Sequence, residues 1–288
     1  GVLDKEWSTN VSQSRAFKRA GFDVVPINYR TIIQTRGYKF FEKMLVELVA
    51  KHKPFLVFFS KCNGISPDIV SECRKHSVTW LWNMDSLETI KQCPEVLEHA
   101  KRAHFASCTG DGTTEWFREN GVPHCITVFD GLDPDIFKPM KPNKEYEADI
   151  SFIGSKTEDR DKAKKILEDA GFKVKFYGPG YGASKVNKDF AHLGSNSKDM
   201  LSMNTYNDIP RYFSNRLLRY MGCGSYIIHY DPTETLKDVF SENIGYFSDL
   251  EDLANFKILN EDIRKEIGNK ARQDALDNYT WDNTINTI

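Results

Sequence analysis

Short apolar runs rich in β-branched and aromatic residues alternate with helical patterns along the whole chain. In the first half these runs predict strands near Val2–Leu3, Val24–Ile27, Phe55–Phe59, Val78–Trp82, His104–Ser107 and Cys125–Val128. The helical patterns between them cover residues 11–20, 38–51, 66–75, 94–101 and 112–120. This alternation is typical of stacked βαβ units, so it predicts an α/β fold with parallel sheets.

The pattern is interrupted once, at residues 130–149, which are rich in proline and charge and predict a linker. It then restarts with a strand at 149–153, a helix at 158–170 and a strand at 174–177, followed later by a helix from about Pro210 and a strand at 225–230. The chain is therefore expected to form two Rossmann-like domains, residues 1–145 and 146–275. Ligands of such open sheets bind at the carboxyl ends of the strands, which predicts a central cleft.

Composition excludes several classes of protein. Hydrophobic residues make up 40% and charged residues 28%, with a formal charge of -2, which is the balance of a soluble globular enzyme. No apolar run approaches the roughly 18 residues that span a bilayer, and no secretory signal is visible at the start, which we expect to lie inside the first strand. The six cysteines form no CxxC pair, so we expect a reducing compartment and a cytoplasmic protein.

The stretch IPRYFSNRLLRYMGCGSYIIHYD, residues 209–231, carries the clearest chemical signal. A helix that begins near Pro210 would leave its first N–H groups free and its positive dipole end outward, which suits a diphosphate. Ser214, Asn215 and Arg216 add side-chain donors at this end. The alternative is an ordinary helix cap with surface arginines.

The run from Asn215 to Ile228, N-R-x-x-R-x-M-G-C-G-S-Y-I-I, resembles the nucleotide-sugar motif of GT-B glycosyltransferases, specifically the CgeB-like, spore-maturation branch. Three other stretches resemble this family in the same order: TWLWNMDS at 79–86, FASCTGDGTTEWFRENGV with VFDGLDPDIFKP, and ADISFIGSKTEDR at 148–160. The resemblance implies an N-terminal acceptor domain, a nucleotide-sugar donor domain at 146–275, and a last segment, 276–288, that crosses back to the first domain.

The resemblance also implies a set of donor-binding residues, in which glycine and arginine contact the phosphates and a loop after the last strand faces the sugar. These residues are Gly154, Arg160, Ser214, Asn215, Arg216, Arg219 and Glu234. Arg211 and Arg219 depart from the E-x7-E pattern of retaining relatives, whose glutamates stand at these two positions. Because an arginine accepts no hydrogen bond, the ribose contact and the retaining mechanism are left open.

An inverting enzyme of this kind needs a general base in the acceptor domain. Asp85, after the strand at 78–82, is the first candidate, and Asp4 is the second; each could equally be a helix cap or turn residue. We expect no metal and no cofactor beyond the nucleotide sugar. Asp133-Pro134-Asp135 spells D-x-D but lies in the proline-rich stretch, and the histidines show no zinc-binding spacing.

The acceptor stays open among a glycan, a protein, a small molecule and DNA. Residues 15–53 hold nine basic and three acidic side chains, which would suit a phage-type enzyme acting on a hydroxylated DNA base, although a solvated face explains them as well. A non-catalytic nucleotide-sugar-binding module and a sugar epimerase of two-domain Rossmann form are alternatives from other classes.

Overall fold

A computed structural model describes residues 3–182, 186–241 and 243–288 and divides the chain into two compact α/β units. Unit 1 extends to Phe129 and includes Ile285–Ile288, whereas unit 2 comprises Asp130–Thr284. None of the described helices combines the length and the apolar composition needed to cross a membrane.

The described elements of unit 1 are α1 (Thr9–Arg19), α2 (Tyr29–Arg36), α3 (Tyr38–His52), β1 (Leu56–Ser60), α4 (Pro67–Arg74), β2 (Val78–Asn83), α5 (Leu87–Lys91), α6 (Pro94–Arg102), β3 (Phe105–Cys108), α7 (Asp111–Glu119) and β4 (Cys125–Thr127). The strands form one parallel sheet in the order β1-β2-β3-β4. Local signals start the helices: the Ser8 side chain accepts the Asn10 N–H, and Ser66 caps α4 ahead of Pro67.

Four of the six strands predicted for this half are confirmed, and one is wrong. Residues 22–28 have no regular secondary structure, although Val24–Ile27 was predicted as a strand. Of the predicted strand Val2–Leu3, Val2 lies outside the described residues and Leu3 is not in a strand. A strand forms only where it can pair with a neighbour. Within the described part of the chain β1 pairs with β2 alone, so neither of these two segments is paired with it.

The described elements of unit 2 are β5 (Ala148–Ile153), α8 (Glu158–Asp169), β6 (Val174–Tyr177), α9 (Phe190–Ser195), β7 (Ser197–Ser202), α10 (Asn215–Gly222), β8 (Tyr226–Tyr230), α11 (Lys237–Phe240), β9 (Gly245–Phe247), a 3-10 helix (Leu250–Asn255), α12 (Glu261–Asn278) and α13 (Trp281–Thr287), which ends in unit 1. The strands are parallel, in the order β6-β5-β7-β8-β9. The sequence did not predict β7 or β9, and it placed the start of α10 near Pro210, which is wrong by five residues.

The stretch predicted to be a linker packs on unit 2. The Leu132 N–H donates to the Tyr279 carbonyl at 2.7 Å, and the Met140 N–H donates to Ser195 Oγ at 3.0 Å. The ring of Phe137 contacts that of Phe190 with centroids 5.4 Å apart. The boundary between the two units therefore lies after Phe129, whereas the sequence predicted it after residue 145. Of the predicted crossing segment, 276–288, only Ile285–Ile288 belong to unit 1.

Candidate functional site

Helix α10 begins with free backbone donors. Ser214 is its N-cap, and the Ser214 N–H donates to the Asn204 side chain at 2.9 Å. The helix begins after Ser214 because this residue is extended, with a φ of -80° and a ψ of 153°, and Arg211 before it has a left-handed φ of 54°. Ser214 makes no capping hydrogen bond with its side chain, so the N–H groups of Asn215 and Arg216 have no acceptor among the described residues. The first turn of α10 can therefore bind an acceptor from outside.

Two arginines meet over the ring of Phe152, and together we call them the cation pair. The guanidinium carbons of Arg160 and Arg216 lie 4.9 and 5.0 Å from the ring centroid. The Met203 carbonyl oxygen accepts from Arg160 Nη2 at 2.9 Å and from Arg216 Nη1 at 2.8 Å. One backbone oxygen thus bridges the two cations, and the ring face attracts both of them.

The cation pair has no acidic partner in the described part of the chain, since neither guanidinium forms an ion pair there. Burial, and then the positive charge of Arg216, lower the pKa of Arg160 to about 10; burial also lowers the pKa of Arg216. Arginine side chains keep their proton at neutral pH in proteins, so the two guanidinium groups repel each other. A bound anion would relieve this repulsion.

The two arginines differ in their access to a ligand. Arg160 is only 1% exposed, and its Nη1 donates to the Ser155 carbonyl at 2.8 Å, so it supports the loops after β5 and β7 from inside the protein. Arg216 is half-buried and also donates to Ser214 Oγ at 3.2 Å. The structure therefore places Arg216, and not Arg160, where a ligand can touch it.

Two glycines let the loops approach this site. A Cβ atom on Gly154 would lie 2.8 Å from Arg216 Nη2 and 2.7 Å from Cζ of Phe152. A Cβ on Gly178, whose φ is 126°, would lie 2.3 Å from the Gly154 carbonyl oxygen. The glycine-rich loop after β6 consequently packs directly on the turn after β5, and any side chain at Gly154 would displace Arg216.

The loop after β7 contains site residues that sequence reasoning missed. Asn204 holds this loop by four hydrogen bonds. Its side chain accepts from the Ser214 N–H and donates from Nδ2 to the Tyr212 carbonyl at 3.1 Å. Its own N–H donates to Asn207 Oδ1 at 2.8 Å, and its carbonyl accepts from Asn207 Nδ2 at 3.4 Å. Together with Met203 it sets the entrance to α10. The available signal was an asparagine shortly after an apolar strand end, but β7 itself was not recognised.

Arg219, predicted with the donor-binding residues, faces another part of unit 2. Its guanidinium carbon lies 4.5 Å from the ring centroid of Phe137 and 5.7 Å from that of Phe190. Burial lowers its pKa to about 10, and the charge of Asp130 opposes this shift. Arg219 thus packs the stretch 130–147 onto the rest of unit 2. These ring contacts explain how an arginine is accommodated where the E-x7-E pattern has its second glutamate.

The loop after β8 presents Glu234 at its tip. Asp231 fixes this loop, because its Oδ1 accepts from Thr233 Oγ1 at 2.7 Å and its Oδ2 accepts from the Leu236 N–H at 2.8 Å. Glu234 is exposed and has a φ of 54°. It lines a cavity of about 450 Å³ with Asp231 and Lys237, and neither arginine of the cation pair is among the described residues that line this cavity.

In unit 1, the first catalytic candidate lies at the carboxyl end of the sheet. Asp85 Oδ1 accepts from Lys61 Nζ at 2.7 Å, and the Asp85 N–H donates to Asn83 Oδ1 at 2.8 Å. Lys61 and Cys62 both have left-handed φ angles, 65° and 61°, which turn the chain sharply after β1. This turn brings the lysine onto the end of β2, where it pairs with the candidate base.

The remaining candidates are less enclosed or structural. Asp4 is exposed in a bend before α1. Asp133 is buried and accepts the Asp135 N–H at 3.2 Å, which is a turn contact. The indole N–H of Trp80 donates to Ser107 Oγ at 2.9 Å, and Trp82 is fully buried, so both tryptophans belong to the core of unit 1.

The chain is similar to one protein family and to several solved structures. A family model described as glycosyl transferase-like matches residues 160–288, which include the cation pair and α10. A search of curated proteins found no match. A solved structure of an S. aureus TarM mutant in complex with fondaparinux, α-GlcNAc-glycerol and UDP is similar at a TM-score of 0.57 and 13% identity, over 85% of this chain and 57% of that one.

Two further structures are similar over nearly the whole chain. The N-terminal domain of Candida albicans trehalose-6-phosphate phosphatase has a TM-score of 0.58 and 10% identity, over 94% of this chain and 77% of that one. AviGT4, a glycosyltransferase involved in avilamycin A biosynthesis, has a TM-score of 0.53 and 9% identity, over 96% and 86%. The chain spans little more than half the length of TarM.

These similarities show the fold. Two α/β units with parallel sheets are those of GT-B glycosyltransferases, so the predicted fold class is confirmed. Residues 160–288 are similar to a glycosyl transferase-like family. The CgeB-like branch stays a prediction.

Proposed function

We propose that this protein is a glycosyltransferase that moves a sugar from a nucleotide-sugar donor to an acceptor hydroxyl. The observation that carries the proposal is the cation pair beside the free N–H groups of α10. The nucleoside diphosphate that leaves in such a reaction gains negative charge, and fixed guanidinium and N–H donors stabilise that charge. The family match to residues 160–288 and the UDP in the TarM structure support this donor class.

The site residues have separate roles in this proposal. Arg216 and the N–H groups of Asn215 and Arg216 bind the diphosphate, and the side chains of Ser214 and Asn215 add polar contacts. Arg160 holds the loops that position Arg216. Gly154 leaves room for the guanidinium. Because these groups already supply positive charge, we expect transfer to proceed without a metal ion.

Asp85 is the proposed general base in unit 1. Lys61 Nζ holds its side chain at 2.7 Å, at the carboxyl end of the unit 1 sheet, and an aspartate is one of the groups that can accept the proton of an acceptor hydroxyl. Asp4, which is exposed, is the second candidate. An inverting reaction follows from a base of this kind, because it activates the acceptor for direct attack on the anomeric carbon.

The proposal also extends to the acceptor and to the branch of the glycosyltransferase family. We favour a CgeB-like enzyme that acts on a glycan, protein or small molecule. A hydroxylated base in DNA is the alternative acceptor, supported by the basic excess at 15–53. DNA binding releases counterions and therefore weakens steeply with salt, so activity that does not depend on salt would exclude this acceptor.

Donor turnover tests the proposal. A panel of nucleotide sugars is first screened by thermal shift, because a ligand at 100 times its dissociation constant stabilises a protein by about 2.7 kcal/mol. The donor that binds is then incubated with candidate acceptors, and released nucleoside diphosphate and glycosylated product are measured. Product that requires an acceptor supports the transferase.

Other products separate the alternatives. Tight donor binding with no turnover would indicate a nucleotide-sugar-binding module, and a free sugar formed without an acceptor would indicate an epimerase. If no nucleotide sugar, nucleoside diphosphate or inorganic diphosphate shifts the melting temperature, the proposed anion site is wrong.

A further inference from the structure

A buried histidine lies in the sheet of unit 2, next to the segment that holds the cation pair. His229 in β8 and Ser202 in β7 are both 0% exposed, and they stand opposite each other in the register of the sheet. The hydroxyl oxygen of Ser202 lies 2.8 Å from Nδ1 of the imidazole, so the two side chains share a hydrogen bond. We call this contact the histidine–serine link.

The histidine–serine link lies where the contacts of the cation pair begin. Ser202 is the last residue of β7, and the carbonyl of Met203, which follows it, accepts from Arg160 at 2.9 Å and from Arg216 at 2.8 Å. The backbones of β7 and β8 are already paired at Ser202 and His229, so the sheet does not need the side-chain bond to hold these strands together. The bond instead fixes the end of β7, one residue before the Met203 carbonyl.

The imidazole lies on the face of the sheet against which α10 packs. Leu201 and Ile228 belong to the apolar core that the sheet shares with α8. Because successive side chains of a strand point to opposite faces, Ser202 and His229 lie on the other face. The buried residues of α10 lie outside that core, and α10 contacts both β7 and β8. His229 is therefore covered by the helix that carries Arg216.

The imidazole is neutral at neutral pH. Burial lowers the pKa of His229 to about 4; the charge of Asp231 opposes this shift, and the charge of Arg216 adds to it. The ring therefore adds no positive charge beside the cation pair, and the histidine–serine link is a hydrogen bond between two neutral groups.

The imidazole also carries an unmatched polar atom. Nε2 of His229 is buried and has no hydrogen-bond partner among the described residues. A buried nitrogen without a partner costs stability, so an apolar side chain of similar size would serve the core of unit 2 better. Such a cost is expected of a residue that serves a functional site, and packing alone does not explain it.

We propose that His229 is a positioning residue of the donor site, which acts through Ser202 to fix the Met203 carbonyl and hence the guanidinium of Arg216. The inference rests on the proposed function, because the diphosphate is the ligand that Arg216 would bind. Without the histidine–serine link the end of β7 can move, so Arg216 loses a fixed acceptor and the diphosphate binds less tightly. Both linked side chains are fully buried, so neither of them touches the ligand.

Binding of UDP and of inorganic diphosphate to the full chain tests this role. His229→Leu removes the hydrogen bond and the unmatched nitrogen together, so Tm should stay equal or rise. The dissociation constant for both ligands, measured by isothermal titration, should nevertheless rise about tenfold. His229→Asn places an amide group where it can bond to Ser202, so its dissociation constants should stay within about twofold of those of the unmodified chain.

Ser202→Ala breaks the histidine–serine link from its other side with a smaller change in volume, and it keeps the test decisive if His229→Leu does not fold. It should weaken the binding of both ligands about tenfold. The double variant should bind no worse than either single variant, because the two substitutions remove one shared interaction. Ser225→Ala is the matched control: the Ser225 hydroxyl is also buried in unit 2 and donates to the Gly194 carbonyl at 2.7 Å, so its loss should leave binding unchanged.

The remaining outcomes would overturn the inference. Unchanged affinity in His229→Leu and Ser202→Ala, with normal binding by the unmodified chain, would show that the histidine–serine link does not position Arg216. An equal loss in Ser225→Ala, or no recovery in His229→Asn, would show that any change in the core of unit 2 weakens binding. If the unmodified chain bound neither ligand, the proposed anion site would be wrong, and this inference with it.

Discussion

The carboxyl edges of the two sheets have opposite charge arrangements. In unit 2 the cation pair, Arg160 and Arg216, has no acidic partner among the described residues. Both guanidinium groups instead contact the ring of Phe152 and donate to the Met203 carbonyl. In unit 1 the corresponding edge carries a matched pair, Lys61 and Asp85, 2.7 Å apart. An unmatched positive charge is suited to hold an anion, whereas the lysine of the matched pair holds the Asp85 carboxylate in a fixed position. The contrast supports the proposal that unit 2 binds the donor and that unit 1 supplies the base.

The largest effect is expected at the unmatched edge. Arg216→Gln keeps a polar side chain but removes the charge, so kcat/KM with the donor found in the panel should fall by about 100- to 1000-fold. The melting temperature without ligand should change little, because Arg216 is half-buried and its repulsion from Arg160 is removed. Steady-state kinetics and thermal unfolding measure the two effects.

Lys265→Gln is the matched control for this substitution. Lys265 is exposed on α12 in the same unit, where it pairs with Glu261, so its loss should leave kcat/KM unchanged. Full activity of Arg216→Gln, or an equal loss of activity in both variants, would show that the cation pair does not bind the donor. The proposed difference in role between the two sheet edges would then be wrong.

A smaller loss is expected at the matched edge. Asp85→Asn preserves shape but removes the proton acceptor, so kcat should fall by about 100-fold while the donor-induced thermal shift stays the same. Asp4→Asn, at an exposed acid of the same unit, is the comparison variant. If Asp4→Asn lost the activity and Asp85→Asn kept it, the second candidate would be the base and the Lys61 contact would be structural.

The sequence predicted the architecture well where apolar periodicity was clean. The strands around Leu56–Ser60, Val78–Asn83 and Ala148–Ile153 were found because nearly continuous apolar runs are typical of buried parallel strands. It failed at β7, whose Lys198 and Asp199 interrupt the run with charge. It also predicted a strand at Val24–Ile27 from local preference alone, although pairing depends on a neighbour elsewhere in the chain.

The residue types of the candidate site were predictable from the sequence, but the separate structural roles of its arginines were not. Arginines near a helix start indicate an anion site, and the structure brings Gly154, Arg160, Ser214 and Arg216 together as expected. No local signal could show that the Met203 carbonyl holds Arg160 or that Arg219 packs against the rings of Phe137 and Phe190. Those contacts join residues far apart in sequence, so only the folded chain reveals them.

A substitution that acts by steric contact tests the position of Arg216 without removing its charge. Gly154→Ala places a methyl group 2.8 Å from Arg216 Nη2, so the guanidinium must shift and donor affinity should fall by about tenfold. Isothermal titration measures this change. Ser155→Ala, at the exposed next residue, is the control and should bind the donor normally. Unchanged affinity in Gly154→Ala would mean that the phosphates do not need Arg216 in its observed position.

The smallest effect is expected at the amino end of β7, where Asp199 is fully buried and neither carboxyl oxygen has a hydrogen bond within the described residues. Burial raises its pKa to about 7, although Arg264 lies 3.8 Å away. An unfolded aspartate has a pKa of about 3.9, so between about pH 4 and 7 the folded chain keeps a proton that the unfolded chain loses. This group therefore stabilises the fold below about pH 4, and its contribution is lost as the pH rises to about 7.

Asp199→Asn removes that dependence, because an amide does not titrate. We expect its Tm to match that of the unmodified chain at pH 4.5 and to exceed it by a few degrees at pH 8, with unchanged donor affinity. Thermal unfolding across this range checks the sign, since a variant that is less stable at pH 8 would show that the ionised carboxylate is favoured by Arg264. Lost donor affinity would show instead that the two ends of the unit 2 sheet are coupled, and the contrast between its edges would then need a different explanation from local charge.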